Sequence, residues 1–183
     1  MMQMVARIAV ASLLCILECP AQTAAPQLPR PRFEEYPVSE KWAGPAAHVR
    51  LTARSAQLFR TRLRNAGKEP PNFAGHYRFE IWGCGSNCAS GGIVDLRSGE
   101  VFHPPLGGGR PGHDDWIIGL FMVEGAAIDF KLDSRLVIVK RGMFFSEKQQ
   151  RILPEEHYLL WEGRGFRELL FVPGGDGDPS KRK

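Results

Sequence analysis

Hydrophobic positions recur with two different periods along the chain, and the first of them is helical. Between residues 52 and 66, four apolar side chains fall on one face at helical spacing: Ala56, Phe59, Leu63 and Ala66. Thr52 can cap the start of this run, and Gly67 followed by Pro70 can end it. The pattern predicts one amphipathic N-terminal helix over residues 52–66.

From His76 onward the period shortens to two, which is typical of strands. Residues 76–82 alternate first. Three further pairs of runs then flank short turns: 92–96 with 100–103, 128–132 with 136–140, and 157–162 with 166–172. Residues 116–123 fit either a strand or a short helix. We therefore predict an α+β fold, an antiparallel meander of about six to eight strands with the helix packed on one side.

The beginning of the chain has the layout of a secretory signal peptide. Arg7 precedes an apolar run over residues 8–17, and small residues follow it. The run is too short to span a bilayer, which takes about 20 residues. We expect cleavage after Ala21 or within residues 23–25. A lipoprotein is the alternative because Cys15 and Cys19 lie near the end of the run, although neither follows a small residue.

These features divide the chain into four parts. Residues 1–21 are the expected signal peptide, and residues 22–47, rich in Pro, Ala and Gln, an extended and poorly ordered leader. Residues 48–173 then form a single globular domain, and residues 174–183 a disordered tail. We expect a periplasmic or secreted protein with no transmembrane segment after cleavage. The net charge of +4 favours anionic neighbours.

Cleavage would leave Cys84 and Cys88 as the remaining cysteines, and cysteines of an exported protein usually pair. We predict a disulfide between them. A zinc site would need further closely spaced Cys or His ligands. A thioredoxin-like pair has two intervening residues rather than three. A papain-type nucleophile needs a downstream asparagine, and none follows Asn87. We expect no metal and no cofactor.

Three short motifs around these cysteines resemble a known group. Residues 72–77 read NFAGHY, residues 82–88 read WGCGSNC, and residues 95–101 read DLRSGEV. The combination is similar to small exported bacterial proteins that carry an NFAGxY, WGCGxxC and DxxSGxV signature. The resemblance covers about residues 71–105. It implies export and a shared fold, and it brings no assigned activity.

A glycine-rich turn held by a disulfide, with exposed amides and a tryptophan beside it, could form a recognition surface. The alternative is that it only closes a hairpin. The candidate binding residues here are Asn72, His76, Tyr77, Trp82, Gly83 and Gly85. His113, Asp114 and Asp115 form a second candidate, in a Gly/Pro-rich loop over residues 104–115. A histidine beside carboxylates can act as a general base or metal ligand, or can belong to a plain polar turn.

A basic segment precedes the strands. Residues 41–68 contain no acidic residue and seven cations: Lys41, Arg50, Arg54, Arg60, Arg62, Arg64 and Lys68. Such a run is usually a solvated face. It can also contact anionic envelope components or an acidic partner protein. Without interleaved aromatic residues it does not indicate nucleic-acid binding.

Two functions remain open, besides a purely structural role in the cell envelope. The first is a non-enzymatic exported binding module, either an inhibitor or immunity-type protein or one that binds an envelope partner. The second is a small hydrolase or metal-dependent enzyme that uses the His113-Asp114-Asp115 loop, with His76 or His103.

Overall fold

The computed structural model describes residues 29–85, 88–104, 117–118, 127–146 and 148–175. In this part of the chain strands predominate: β1 Tyr77–Gly85, β2 Cys88–Asp95, β3 Val101–Phe102, β4 Ile117–Ile118, β5 Ala127–Phe130, β6 Leu136–Ser146, β7 Arg151–Trp161 and β8 Phe166–Val172. The helices are short: a 3-10 helix Phe33–Glu35, α1 Arg54–Leu58 and α2 Arg60–Ala66.

The strands form two antiparallel sheets. In the first, β2 pairs with β1 along one edge and with both β3 and β4 along the other. In the second, β5, β6, β7 and β8 pair in sequence order. The three predicted hairpins are confirmed, since β3 returns along β2, β6 along β5 and β8 along β7.

The predicted single meander of six to eight strands is wrong. β4 pairs back onto β2 rather than continuing toward β5, so the first sheet ends there and β5 opens a second one. The two sheets then bury apolar faces against each other, and Phe79 and Ile93 of the first share one core with Val137 and Val139 of the second. The fold is mostly β, with two sheets in place of one.

The predicted long helix is also wrong, because Phe59 interrupts it. The backbone of Phe59 leaves helical geometry at φ −106° and ψ 20°, and its ring packs 5.1 Å from the Trp82 ring. Thr52 does not cap the helix; Ala53 occupies the N-cap and has no side chain that could accept a hydrogen bond there. The helix end is as expected, since α2 stops at Ala66 and Gly67 follows.

The first sheet is buried on both faces. Its outer face packs against the helices, where Leu63 and Ala66 of α2 contact a cluster that includes Trp82 and Val94. Its inner face meets the second sheet around Phe73, whose ring is fully buried. Five aromatic rings lie within 6.4 Å of the Phe73 ring: Tyr77, Phe79, Phe130, Trp161 and Phe166. Phe73 therefore joins the two sheets.

Residues 36–42, which we call the strap, form an irregular segment that contacts both sheets. The strap contacts the turn before β6, where the Val38 N–H donates to the Asp133 carbonyl at 3.1 Å. It then reaches the start of the first sheet, where the Trp42 N–H donates to the Gly75 carbonyl at 2.8 Å. This part of the expected leader is thus held on the domain by backbone hydrogen bonds.

Candidate functional site

The NFAGHY motif folds into a tight turn that leads into β1. Phe73 and Tyr77 exchange backbone hydrogen bonds at 3.0 Å, and Ala74 and Gly75 between them have φ of 42° and 84°. The Asn72 side chain continues this pairing, because its amide donates to the Phe79 carbonyl at 2.9 Å and accepts from the Phe79 N–H at 2.7 Å. Both ends of the Asn72 amide are used, so this residue fixes the turn rather than binding a ligand.

The DLRSGEV motif forms the turn between β2 and β3. The Asp95 carboxylate accepts from the Arg97 N–H and from the Ser98 hydroxyl, both at 2.8 Å. Gly99 has a φ of 74° and closes the turn by donating to the Asp95 carbonyl. The Leu96 N–H donates to the His76 carbonyl, and this bond ties the turn to the NFAGHY motif. The two motifs thereby place Arg97 beside His76.

A cleft of about 520 Å³ opens where these two turns meet the strap and the β7–β8 hairpin. Its volume falls in the range of pockets that hold small ligands or the side chains of a partner. The cleft is lined by Pro37, Val38, Ser39, Glu40, Ala74, His76, Tyr77, Arg97, Arg135, Trp161, Glu162 and Gly163. Residues from both sheets and the strap are therefore all needed to form it.

The charged groups of this cleft leave a cationic excess. Glu40 lies 3.0 Å from the Arg97 guanidinium, which also stacks over the Trp42 ring at 5.1 Å. Glu162 accepts from the Arg167 guanidinium at 2.6 Å. The guanidinium of Arg135 forms no ion pair with any acidic side chain of the described residues. Both carboxylates of the cleft are thus neutralised, whereas the Arg135 charge is not.

Two aromatic side chains, Tyr77 and Trp161, form part of the wall of the cleft. The Tyr77 hydroxyl donates to the Gly163 carbonyl, but at a long 3.4 Å. Trp161 is 1% exposed, and its buried indole N–H has no hydrogen-bond partner in the described part of the chain. Burial raises the pKa of the Tyr77 hydroxyl. The neighbouring indole N–H of Trp161 lowers this pKa, although the two groups do not reach hydrogen-bond geometry. The Trp161 indole nitrogen has less than 1 Å² of accessible surface, so it lies beneath the wall of the cleft, where a ligand cannot contact it directly.

His76 is half-buried between these groups. Its ring lies 4.1 Å from the Tyr77 ring, and its Nε2 lies 3.8 Å from an Asp95 carboxylate oxygen. Burial lowers the pKa of His76, and the Arg97 guanidinium lowers it further, against the opposing charge of Asp95. At neutral pH His76 is therefore uncharged, and it gains a positive charge only as the pH falls.

The structure brings together only part of the predicted binding set. His76 and Tyr77 line the cleft, and Asn72 supports the turn that carries them. Trp82 is 6% exposed and faces the helices on the opposite side of the sheet, where the Arg62 guanidinium lies 5.8 Å from its ring. Trp82 thus belongs to the core and is not available to a partner.

The glycine-rich hairpin lies at the far end of β1. Gly83 is exposed and pairs with Ala89, and Gly85 pairs with Cys88, with a register shift between Gly83 and Gly85 that places Cys84 at the irregular position. The cysteine side chains are not among the described groups, so the disulfide stays a prediction. His113, Asp114 and Asp115 lie outside the described residues.

Of the residues that line the cleft, the sequence marked only His76 and Tyr77. It missed the others, among them Arg97, Arg135 and Trp161. Arg97 lies inside the DLRSGEV stretch, but nothing in the sequence singled it out. Arg135 ends a short hairpin turn, and Trp161 alternates in a strand like any core residue. No local pattern marks Arg135 or Trp161, because each reaches the cleft only through the packing of the second sheet on the first.

A second polar cluster lies on β7 and β8. The buried His157 ring places Nδ1 2.6 Å from a Glu168 oxygen and Nε2 3.3 Å from a Glu155 oxygen. Both ring nitrogens already contact carboxylates, so neither is free to bind a ligand, and the cluster ties two strands together. The described residues contain no group of three or more His, Cys, Asp or Glu side chains arranged to hold a metal ion.

Comparison of the chain with protein-family models, curated proteins and solved structures gives no match. Among the described residues, no helix has the length and apolar character needed to cross a membrane.

Proposed function

We propose that this protein is an exported, non-enzymatic binding module, and that its cleft holds an acidic group of a protein partner. The single observation that carries the proposal is the imbalance of the cleft. Its two carboxylates, Glu40 and Glu162, are paired with arginines, whereas the exposed Arg135 guanidinium forms no ion pair within the described part of the chain. A carboxylate of a partner could pair with this guanidinium through two parallel hydrogen bonds.

The arrangement supports binding more than catalysis. Nucleophilic or acid–base chemistry requires a reactive group held beside a base, and the ionisable groups of the cleft are cations, a histidine and paired carboxylates. His76 approaches Asp95, but Asp95 is occupied by the Arg97 and Ser98 turn. An inhibitor or immunity-type protein needs a concave surface that matches its partner, and the cleft with its unpaired Arg135 charge supports this proposal.

The proposed binding of an acidic group can be tested with a defined peptide. We would titrate the ¹⁵N-labelled protein with an acetylated oligoglutamate peptide and follow the indole cross-peak of Trp161, with the matching oligoglutamine peptide as the neutral reference. We expect a saturable shift with the acidic peptide alone. Arg135→Gln should weaken binding about threefold to fivefold, because Arg135 is exposed and an exposed ion pair contributes up to about 1 kcal/mol.

Arg164→Gln is the matched control, because Arg164 is 84% exposed on the β7–β8 turn and does not line the cleft. It removes the same charge and should leave the affinity within about twofold. An unshifted Trp161 signal, or equal affinities for wild type and Arg135→Gln, would refute the proposed site.

Export is a separate part of the proposal and is supported by the N-terminal sequence alone. Intact mass of the protein purified from its cell envelope, before and after reduction and alkylation, tests it. We expect a mass that corresponds to cleavage near Ala21, with Cys84 and Cys88 blocked until reduction. A mass that retains residues 1–21 would exclude the proposed localisation without affecting the cleft.

A further inference from the structure

The outer side of the two short helices is strongly cationic. Five basic side chains on α1, on α2 and in the turn after α2 are all exposed: Arg54, Arg60, Arg62, Arg64 and Lys68. Arg60 and Arg64 are spaced four residues apart and so lie on one side of α2, and Lys68 follows in the turn after it. We call these five residues, together with Leu58, the cationic surface.

The charges of the cationic surface are not neutralised by the rest of the described chain. Arg54, Arg60, Arg64 and Lys68 form no ion pair with any acidic side chain that the structure describes. Arg62 lies over the Trp82 ring instead. Residues 41–68 lack Asp and Glu, and the nearest acidic residue in the sequence, Glu69, follows Lys68 without forming an ion pair within the described chain. The cationic surface therefore generates a positive field directed toward solvent.

Leu58 is the apolar member of the cationic surface. It is 76% exposed and is the one large apolar side chain exposed in this way among the described residues. It ends α1, four residues after Arg54 and two before Arg60. Its neighbour Ala56 is buried, so α1 packs one side on the domain and presents Leu58 to solvent.

We propose that the cationic surface docks on an anionic lipid bilayer. A bilayer interface satisfies both features at once, since headgroup phosphates attract Arg and Lys while the acyl boundary accepts an aliphatic side chain. A nucleic acid would match the charges, but nucleic acid is usually bound with stacking aromatic residues, and this surface presents none. An acidic protein would also match the charges, but it offers no acyl boundary for Leu58. Docking would be peripheral, because one leucine on a five-residue helix cannot insert deeply.

Sedimentation with lipid vesicles tests the proposal on purified protein whose N-terminus has been fixed by intact mass. We expect binding to phosphatidylcholine vesicles that contain phosphatidylglycerol, none to phosphatidylcholine alone, and loss of binding in high salt. Arg60→Gln/Arg64→Gln should lower the partition coefficient about 25-fold, at about fivefold per cation near the surface. Leu58→Ser should lower it about tenfold.

Arg32→Gln/Lys131→Gln is the matched control. It removes the same net charge from two exposed cations that pair with Glu35 and Glu34, beside the 3-10 helix, and it should leave vesicle binding unchanged. Equal loss in this control would show a non-specific charge effect and overturn the proposal. If Leu58→Ser bound vesicles as tightly as the wild type, and a soluble polyanion displaced the protein from them, the proposal would be overturned in favour of a general polyanion site. Because none of these substitutions touches the cleft, the result is independent of the acidic-peptide titration.

Discussion

Gly75 and Gly99 each occupy a position where the backbone and the surroundings both exclude a side chain. Their φ angles are 84° and 74°, and a Cβ would overlap the carbonyl oxygen of Glu40 at Gly75 and that of His48 at Gly99. Each motif contains a glycine at this position because only a residue without a side chain lets the turn approach the neighbouring segment so closely.

Gly75→Ala should therefore lower the free energy of unfolding by more than about 2 kcal/mol, because a left-handed backbone alone costs an alanine roughly 1–2 kcal/mol and the strap must also move. Denaturant titration measures the loss. Gly165→Ala is the control, since a Cβ there meets no atom within 4 Å and its φ is not positive; it should change stability by less than about 0.5 kcal/mol. A Gly75→Ala variant as stable as the control would contradict this account of the turn.

His76 should make stability depend on pH. Burial lowers its pKa below the ordinary value of 6.5, so the unfolded chain binds more protons than the folded chain as the pH drops past that value. The free energy of unfolding should then decrease as the pH falls from about 7.5 to about 5.5, and less steeply in His76→Gln. Denaturant titrations across this range measure both slopes. Identical slopes would mean that His76 makes no such contribution.

At the scale of elements, the hairpins were predictable because their signals are local. The turns of residues 97–99, 133–135 and 163–165 contain small or polar residues between alternating runs, and this chemistry alone favours reversal of the chain. The helix break was not predictable in this way. Phe59 has the right spacing for a helix, and its contact with Trp82, a distant residue of β1, is not visible in the local pattern.

The predicted disulfide would lie at the end of the β1–β2 hairpin. Gly85 and Cys88 are paired residues, so Cys84 is separated from Cys88 by a very short loop. Cys84→Ser/Cys88→Ser should lower the free energy of unfolding by roughly 2 kcal/mol under oxidising conditions, on the chain-entropy model for a small loop. The reduced wild-type protein should match the variant in thermal unfolding. If oxidised wild type and variant unfold at the same temperature, the hairpin gains nothing from a cross-link.

At the scale of the whole molecule, the division of the strands between two sheets escaped prediction because distant residues decide it. The alternation of apolar and polar residues indicates which face of each strand is buried, but it does not indicate which other element covers that face. Here Phe73, before β1, is covered by Phe130, Trp161 and Phe166 of the second sheet. The same packing brings Arg135 and Trp161 to the cleft, so the binding site could be predicted only as far as the motif residues His76 and Tyr77.

Phe73→Ala should consequently affect both sheets together. Loss of a fully buried aromatic ring costs about 3–5 kcal/mol, and Phe73 contacts aromatic rings from each sheet. Hydrogen exchange should show faster exchange in β1 and in β7 to a similar extent. Leu58→Ala, at an exposed site, serves as the control and should leave both strands protected. Faster exchange in one sheet alone would show that the sheets are separate units of stability.

The strap has a consequence for the order in which the chain can fold. It lies near the N-terminus, yet the Ser134 hydroxyl donates to the Phe33 carbonyl beside it across 101 positions of sequence. The contacts of Phe33 and Val38 therefore form only after Ser134 and Asp133 have been synthesised, and contacts of such long sequence separation form slowly. The contact of Trp42 with Gly75 spans far fewer positions, so one end of the strap can attach to the first sheet while the other still waits for the turn before β6.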